Sequence, residues 1–327
     1  MKSFLITLAA VFITISTTAQ FYKKEQPFAH TYSIVARDTV TGEMGVAVQS
    51  HWFSVGTSVA WGKSGVGVVA TQSFTNPSFG PRGLKLLKNG LTAKLAVSAL
   101  LEVDEAKSVR QLAILDANGN AAAHTGKDCI DAAGHYVGNN FSVQANLMEK
   151  ATVWPAMAKA FEETKGSLAE RMLAALEAAQ NEGGDIRGKQ SAALIVVGKE
   201  ATGNEWDDKT VDLRVDDHEN PLQELRRLLT IQQAYQYMNA GDVAIEKGDI
   251  KAAKEFYQQA QKLNPDNIEM KYWYAVTLAN NKEFKEAKII FKKVFEKDRN
   301  WQTLLKRLKK VSLLQITDGQ LNELEKF

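Results

Sequence analysis

The sequence predicts a layered domain with antiparallel sheets, of either α+β or αββα type, followed by an all-helical module. Up to about residue 230, short apolar runs of strand length alternate with amphipathic stretches of helix length. Paired strands come first, then a helical hairpin, more strands, two long helices and a last strand. This order favours antiparallel sheets over repeated βαβ units. Beyond residue 230 the sequence becomes helical and repetitive.

The predicted strands are rich in small and β-branched residues, and the first two are joined by a polar turn that contains Gly42. They cover residues 31–37, 44–50, 65–72, 111–116, 121–124, 141–145, 191–197 and 211–215. The predicted helices carry apolar residues at helical spacing and cover residues 83–89, 92–103, 151–165, 167–180 and 221–230.

The C-terminal part shows the spacing of a tetratricopeptide repeat, in which small residues let two helices approach and an aromatic residue fills the gap. The residues of this pattern are Ala234, Tyr237, Gly241, Gly248, Ala253, Tyr257, Ala260 and Pro265, and a shift of about 34 residues gives Ala275, Ala287, Phe291 and Val294. We interpret residues 230–327 as a tetratricopeptide-like helical domain that recruits a protein partner, with a plain helical bundle as the alternative.

The first residues are typical of a signal peptide. Lys2 precedes an apolar run over residues 4–16, and small residues up to Ala19 suit a signal peptidase. The run is shorter than the roughly 20 residues that a spanning helix needs, so no membrane span is expected. We expect residues 1–19 to be removed, residues 20–30 to form a leader or propeptide-like segment, and the protein to be exported to the periplasm or the extracellular space.

Composition argues against several classes of function. The 40 basic and 38 acidic residues nearly balance without a long basic block, so no nucleic-acid partner is expected. No GxGxxG, GxxxxGK[ST] or GxSxG motif occurs. His124, Cys129, Asp131 and His135 lie close together in the sequence, but without the tight pair typical of a zinc site, so neither a metal nor another cofactor is expected. Cys129 reads as a small buried residue, with a reactive thiol as the alternative.

The hydroxyl at the start of the first strand is the leading candidate nucleophile. If cleavage frees the α-amino group of Thr31, that amine can serve as the base that activates the Thr31 hydroxyl. Ser33 lies two residues later on the same strand face and is the alternative hydroxyl. Ser33 would need a different base, because its own amine stays in a peptide bond.

A glycine-rich loop over residues 183–190 leads into a strand and places Asp185 and Arg187 at a sheet end, followed by Gln190 and Ser191. This loop either orders a site or holds a substrate carboxylate, and a purely structural ion pair is the alternative.

Two further segments are dense in amide and hydroxyl groups. One contains Gln72, Asn76 and Arg82, which suit a polar substrate or a carboxylate, although Asn-Pro and Gly-Pro are also ordinary turn sequences. The other contains Gln144 and Asn146, whose amides suit an oxyanion hole or structural hydrogen bonds.

Motifs throughout residues 29–229 resemble an uncharacterised bacterial family, domain of unknown function 1028. The segments that carry the resemblance are Tyr32-Ser33-Ile34-Val35-Ala36-Arg37-Asp38, residues 45–50, 65–72, 76–77 and 80–83, Ala123-His124-Thr125-Gly126, residues 183–192 and Leu213-Arg214-Val215-Asp216-Asp217-His218.

The resemblance implies membership of the Ntn hydrolases, with a four-layer αββα sandwich and a nucleophile at the start of the first strand. By position, Thr31 looks like that nucleophile. Self-processing relatives often have glycine before it, whereas this sequence has His30, and a second cleavage after residue 30 is needed. Lys63 falls where proteasome-like relatives carry a lysine that lowers the pKa of the amine, with a solvent-facing Lys63 as the alternative.

Two hypotheses follow. The first is an exported Ntn-type amidohydrolase that acts on a small-molecule or peptide amide, with Thr31 as nucleophile and Gln72, Asn76 or Gln144 as oxyanion donors. The second is a non-catalytic ligand-binding or scaffold protein of the cell envelope, whose repeats recruit a protein partner. Either protein could be a homo-oligomer.

Overall fold

The structure, a computed structural model, describes residues 28–327, with side chains from residue 30 onward. The predicted signal peptide and residues 20–27 of the predicted leader lie outside the described residues. The strands are β1 (Phe28–Ala29), β2 (Thr31–Arg37), β3 (Met44–Ser50), β4 (Ala60–Lys63), β5 (Gly67–Phe74), β6 (Arg110–Asp116), β7 (Ala121–Thr125), β8 (Gly134–Gly138), β9 (Phe141–Ala145), β10 (Ser191–Val197) and β11 (Lys209–Val215). The helices are α1 (Gly56–Val59), α2 (Phe79–Lys88), α3 (Ala93–Glu102), α4 (Val153–Glu163), α5 (Leu168–Asn181), α6 (Pro221–Glu246), α7 (Ile250–Leu263), α8 (Ile268–Asn280), α9 (Phe284–Lys297), α10 (Asn300–Lys310) and α11 (Asp318–Leu324).

Each strand and helix predicted for residues 31–230 is present, with shifts at the ends and one large extension, that of α6 to Glu246. Strands β1, β4 and β8 and helix α1 were not predicted from the sequence. The strands among them are short, and β8 begins and ends with glycine and is exposed at its three central residues, so none of them shows the alternation that marks a half-buried strand.

Two antiparallel sheets pack face to face. The first sheet has the order β1-β5-β6-β7, with β4 also paired to β5, and the second has the order β11-β10-β3-β2-β9-β8. Apolar residues of the two facing sheet surfaces, such as Val48 and Val68, form the core between them. Helices α2 and α3 cover the outer face of the first sheet, and α4 and α5 cover that of the second. The predicted αββα layering of an α+β domain is confirmed.

Helix α6 joins the sandwich to the helical region. Its first half buries Leu225 and Leu229 in the core of the second sheet, and its second half buries Ala234 and Met238 in the helical core. The predicted domain boundary between residues 229 and 230 therefore falls inside a continuous helix, where its buried face passes from one core to the other.

Within the helical region, α6 and α7 approach closely at Gly241. A Cβ at this position would stand 2.5 Å from the ring of Tyr257, which is fully buried. The small and aromatic residues of the predicted repeat thus contact each other in the way that the pattern requires. Over residues 28–327, no helix is both long enough and apolar enough to cross a membrane.

Candidate functional site

The layer between the two sheets is apolar along most of its length and polar at one end. In the second sheet, Thr31 stands opposite Ser50, and Ser50 stands opposite Ser191. Since alternate strand residues share a face, Thr31 and Ser33 lie on the same side as Val35, which belongs to the core between the sheets. All of these side chains are buried.

The first sheet contributes amides to the same end. Gln72 of β5 stands opposite Gln111 of β6, on the face that carries Ala70 and Ala113 of the core between the sheets. Both glutamines are fully buried. The two sheets therefore bring polar side chains together in a region where water is excluded and each polar group needs a partner.

Four amides and a serine bond to one another in what we call the amide network: Gln72, Gln111, Gln144, Asn146 and Ser33. Gln144 Nε2 donates to Ser33 Oγ over 2.6 Å, and Ser33 Oγ donates to Gln72 Oε1 over 2.5 Å. Gln111 Oε1 accepts from Gln72 Nε2 (2.6 Å) and from Asn146 Nδ2 (2.9 Å). Gln111 Nε2 donates to the Ala145 carbonyl over 2.9 Å.

The amide network also holds the backbone of Thr31. The Thr31 carbonyl accepts from Gln72 Nε2 at 3.1 Å and from Asn146 Nδ2 at 3.4 Å. Bonds from β5 of the first sheet and from the residue that follows β9 of the second sheet fix the position of Thr31 between the sheets. Of the amides named from the sequence, Gln72 and Asn146 bond to Thr31, and Gln144 bonds to Ser33. Gln111 was not among them, because its signal in the sequence is only a polar residue near the start of an apolar strand.

Two side chains donate hydrogen bonds to the carbonyl oxygen of the peptide bond between His30 and Thr31. Ser50 Oγ donates to this oxygen over 2.5 Å, and Arg187 Nη2 donates to it over 2.9 Å. Arg187 in turn forms a two-point ion pair with Asp185, through Nε (3.0 Å) and Nη2 (2.7 Å). Asp185 is 2 % exposed and also accepts from the His51 amide over 3.1 Å. The glycine-rich loop thus holds Arg187 against the bond before Thr31.

The residues before Thr31 belong to the other sheet. Phe28 and Ala29 form β1 and stand opposite Phe74 and Ser73 of β5, so the chain crosses from the first sheet to the second at His30. The His30 side chain is fully buried there, and its ring is perpendicular to the Phe74 ring, at 5.5 Å between centroids. Asn146 Oδ1 accepts from His30 Nδ1 over 2.6 Å, so Nδ1 carries a proton.

Burial lowers the pKa of His30 from the ordinary value of 6.5 to about 4, since a charged imidazole would lose its water there. Below pH 6.5 the unfolded chain therefore binds a proton that the folded chain does not bind until about pH 4. We expect His30 to remove about 3 kcal/mol of stability as the pH falls through this window.

This effect is measured by urea unfolding between pH 7 and pH 4 on Thr31→Ala protein that retains His30. The matched variant adds His30→Gln, which keeps a polar side chain but does not titrate. The stability of the His30 protein relative to that of the His30→Gln variant should fall by about 3 kcal/mol as the pH falls, and a difference that stays constant would contradict the assignment.

Four residues that the sequence analysis put in the site have local structural roles instead of bonds to the amide network. Asn76 Nδ2 donates to Asp104 over 3.2 Å, and the exposed Arg82 lies over the Phe79 ring at 5.8 Å. Gln190 donates to Asp217 over 3.1 Å. Ser191 Oγ accepts from the Val55 amide over 3.0 Å and donates to the Trp52 carbonyl, which ties the loop after β3 to β10.

The other reactive side chains also have partners. Lys63 is 40 % exposed and pairs with Glu205 at 3.2 Å, which fits the solvent-facing alternative. His124 contacts the Lys107 carbonyl (2.9 Å), and His135 contacts Thr125 Oγ1 (2.8 Å). Burial raises the pKa of the Cys129 thiol, which donates to the Arg110 carbonyl. In the part of the chain that the structure describes, no group of three or more His, Cys, Asp or Glu side chains could hold a metal ion.

The fold and the site together define a class: an αββα domain whose second sheet begins with a buried threonine, joined to a helical repeat. A family model described as "family of unknown function (DUF1028)" matches residues 31–225, and the chain belongs to this family. The match begins at Thr31 itself. A tetratricopeptide repeat model matches residues 244–309, which confirms the predicted repeat.

Among solved structures, the protein is similar to SPO2555 from Silicibacter pomeroyi, described as a DUF1028 protein. The two chains are 32 % identical with a TM-score of 0.55, over 61 % of this chain and 88 % of the other. No curated protein matches.

Proposed function

We propose that the sandwich domain is an exported amidohydrolase of the Ntn type, whose nucleophile is Thr31 after cleavage of the His30–Thr31 bond. One observation carries the proposal. The carbonyl that precedes the candidate nucleophile is held by two side-chain donors, Ser50 and Arg187, at the buried polar end of the sandwich. Donors placed on a carbonyl oxygen stabilise the negative charge that develops there when a nucleophile adds to the carbon.

The same groups support both processing and turnover. In processing, the Thr31 hydroxyl oxygen adds to the His30 carbonyl carbon, the C–N bond breaks, and the proton of the hydroxyl ends on the Thr31 nitrogen. Water then hydrolyses the resulting ester, which releases a leader ending in a His30 carboxylate. The free Thr31 amine thereafter takes the hydroxyl proton during attack on a substrate amide and returns it to the leaving amine.

Removal of the leader takes away the acceptor of two side-chain donors. Ser50 Oγ and Arg187 Nη2 lose the His30 carbonyl as an acceptor, whereas Gln72 and Asn146 keep their bonds to the Thr31 carbonyl. We therefore assign the oxyanion to Ser50 and Arg187, and the orientation of Thr31 to the amide network. The earlier assignment of the oxyanion to Gln72, Asn76 or Gln144 does not fit these bonds, since Gln72 and Gln144 donate within the network and Asn76 donates to Asp104.

The test is Thr31→Ala beside Thr31→Ser. We expect Thr31→Ala protein to keep its fold, to retain His30 in its intact mass, and to hydrolyse no amide in a substrate panel. Thr31→Ser should still be cleaved, because the hydroxyl and the amine remain. Circular dichroism checks the fold, and N-terminal sequencing locates the cleavage. Cleavage after residue 30 or amide hydrolysis by Thr31→Ala protein at the wild-type rate would contradict the proposal.

The position of the leader in the intact chain favours a second candidate function. In the intact chain β1 is paired into the first sheet and Thr31 is fully buried, which suits an unprocessed domain. The tetratricopeptide-type repeat suggests a protein partner, so such a chain would act as an envelope scaffold. Native protein that begins before Thr31 and loses its bound partner on deletion of residues 247–327 would support this candidate. Native protein that begins at Thr31 would contradict it.

A further inference from the structure

We propose that the place held by residues 28–30 becomes the binding site for the acyl half of the substrate, and that this half is an extended peptide ending in a histidine-like residue at the cleaved bond. The inference rests on the proposed function, since the place is vacated only when the His30–Thr31 bond is cut. The chain segment that occupies the site shows which shape and chemistry the site accepts.

The backbone part of this site is an incomplete sheet edge. On one side β5 pairs with β6 along its length, from Gly67 opposite Asp116 to Ser73 opposite Arg110. On its other side β4 pairs only with residues 67–70, and β1 pairs with Ser73 and Phe74. Departure of β1 exposes the backbone at the end of β5, beside Thr31. A peptide can add to such an edge as a strand, and its main chain then supplies the hydrogen bonds.

The side-chain part of the site is the pocket of His30. Asn146 Nδ2 is used on Gln111 and on the Thr31 carbonyl, so Asn146 presents its oxygen to the pocket. A ligand group at this place must therefore be a hydrogen-bond donor, and the perpendicular packing against the Phe74 ring favours a flat group. A neutral imidazole satisfies both conditions, whereas a carboxylate would face an acceptor and lose its water.

The carbonyl part of the site is the pair of donors Ser50 and Arg187. After hydrolysis, the carboxylate of the departing peptide faces the guanidinium of Arg187, which still bonds to Asp185. A peptide with a free C-terminal carboxylate should therefore bind as a product. This permits a binding measurement that needs no turnover.

The probe is a fluorescent peptide with the sequence of residues 26–30, Gln-Pro-Phe-Ala-His, with a free carboxylate. It is titrated into protein that begins at Thr31 and keeps residues 31–327. We expect saturable binding that weakens at least about tenfold when the histidine of the peptide is replaced by alanine or glutamate. Asn146→Ala protein should lose this preference, and Asn118→Ala, on the exposed turn between β6 and β7, should keep it. The uncleaved Thr31→Ala chain should not bind the peptide, because its own residues fill the site.

A second measurement uses the full chain, in case protein that begins at Thr31 does not fold. In the Thr31→Ala background, His30→Ala or His30→Glu should speed hydrogen exchange of the backbone amides at the end of β5, since the leader is held less firmly. Asn118→Ala should leave the exchange unchanged.

The outcomes separate this inference from the proposed function. Peptide binding with histidine preference supports the inference even if no amide is hydrolysed, in which case only the proposed function fails. Hydrolysis of amides by protein that neither binds the peptide nor prefers histidine overturns the inference and leaves the function standing. Hydrogen exchange at the end of β5 that is unchanged in the His30 variants also counts against the inference.

Discussion

Replacing Ser50 with alanine should slow cleavage of the His30–Thr31 bond about 10²- to 10³-fold, the usual effect of losing one oxyanion donor. The Ser50 hydroxyl lies 2.5 Å from the oxygen that gains negative charge, and it is fully buried. Water therefore cannot replace the lost donor without a rearrangement of the core. Arg187→Ala should have an effect of similar size, because its guanidinium is the second donor at 2.9 Å.

The two effects should not add, since each donor stabilises the same charge. Arg187→Lys should restore part of the rate, because an ammonium group can reach the oxygen but cannot keep both bonds to Asp185. The measurement is the fraction of intact chain against time after synthesis, followed by mass spectrometry. Turnover of any amide that the mature protein hydrolyses should fall in parallel, because the same donors then face the substrate.

Ser64→Ala is the matched control for Ser50→Ala. Ser64 is also buried and also donates to a backbone carbonyl, that of Asp208, over 2.6 Å. It lies at the turn after β4, and its hydroxyl also accepts from the Gly198 amide over 3.0 Å. Both variants should cost similar stability, whereas only Ser50→Ala should slow cleavage. Equal cleavage rates in the two variants would show that the Ser50 bond is structural.

The spacing of apolar residues predicted most strands and helices of the sandwich, because it shows which faces of each segment are buried. The strands that begin at Thr31, Met44 and Ser191 are apolar on both faces, since one face packs on the helices and the other on the opposite sheet. Each strand is therefore a continuous apolar run whose ends can be seen in the sequence. Strand β1 was missed because two residues show no period. Its pairing with Phe74 depends on where the chain crosses between the sheets, which no local pattern records.

The candidate site was predictable in part for the same reason. Asp185 and Arg187 were identified because a glycine-rich loop with both charges stands out in the sequence. Ser50 was missed because a serine at a strand end is common, and its role comes only from the register that sets it opposite Thr31. Asn76 and Arg82 were placed in the site because their segment is polar, but the Asn76 side chain accepts from the Ser78 amide in the turn before α2 and donates to Asp104.

Replacing Asp104 with alanine should lower the free energy of unfolding by about 3–5 kcal/mol, the largest loss of stability that we expect from one substitution here. The side chains of Asp104 and Arg110 are 7 % and 2 % exposed, and two hydrogen bonds join them, at 3.1 and 3.3 Å. Although burial raises the pKa of Asp104, its bonds with Arg110 and Asn76 and the charge of Arg110 lower it below the ordinary value. The variant leaves the Arg110 charge buried without this carboxylate.

The destabilisation should also affect the candidate functional site, because Arg110 donates to the Phe74 carbonyl. Phe74 in turn pairs with the leader and contacts the His30 ring. Urea unfolding measures the effect, with Asp212→Ala as the control, because Asp212 pairs with Lys209 on the surface and should contribute at most about 1 kcal/mol. The double variant Asp104→Ala, Arg110→Met removes both charges and should be more stable than Asp104→Ala alone. A double variant as unstable as the single one, or less stable, would mean that lost packing, and not the stranded charge, accounts for the effect.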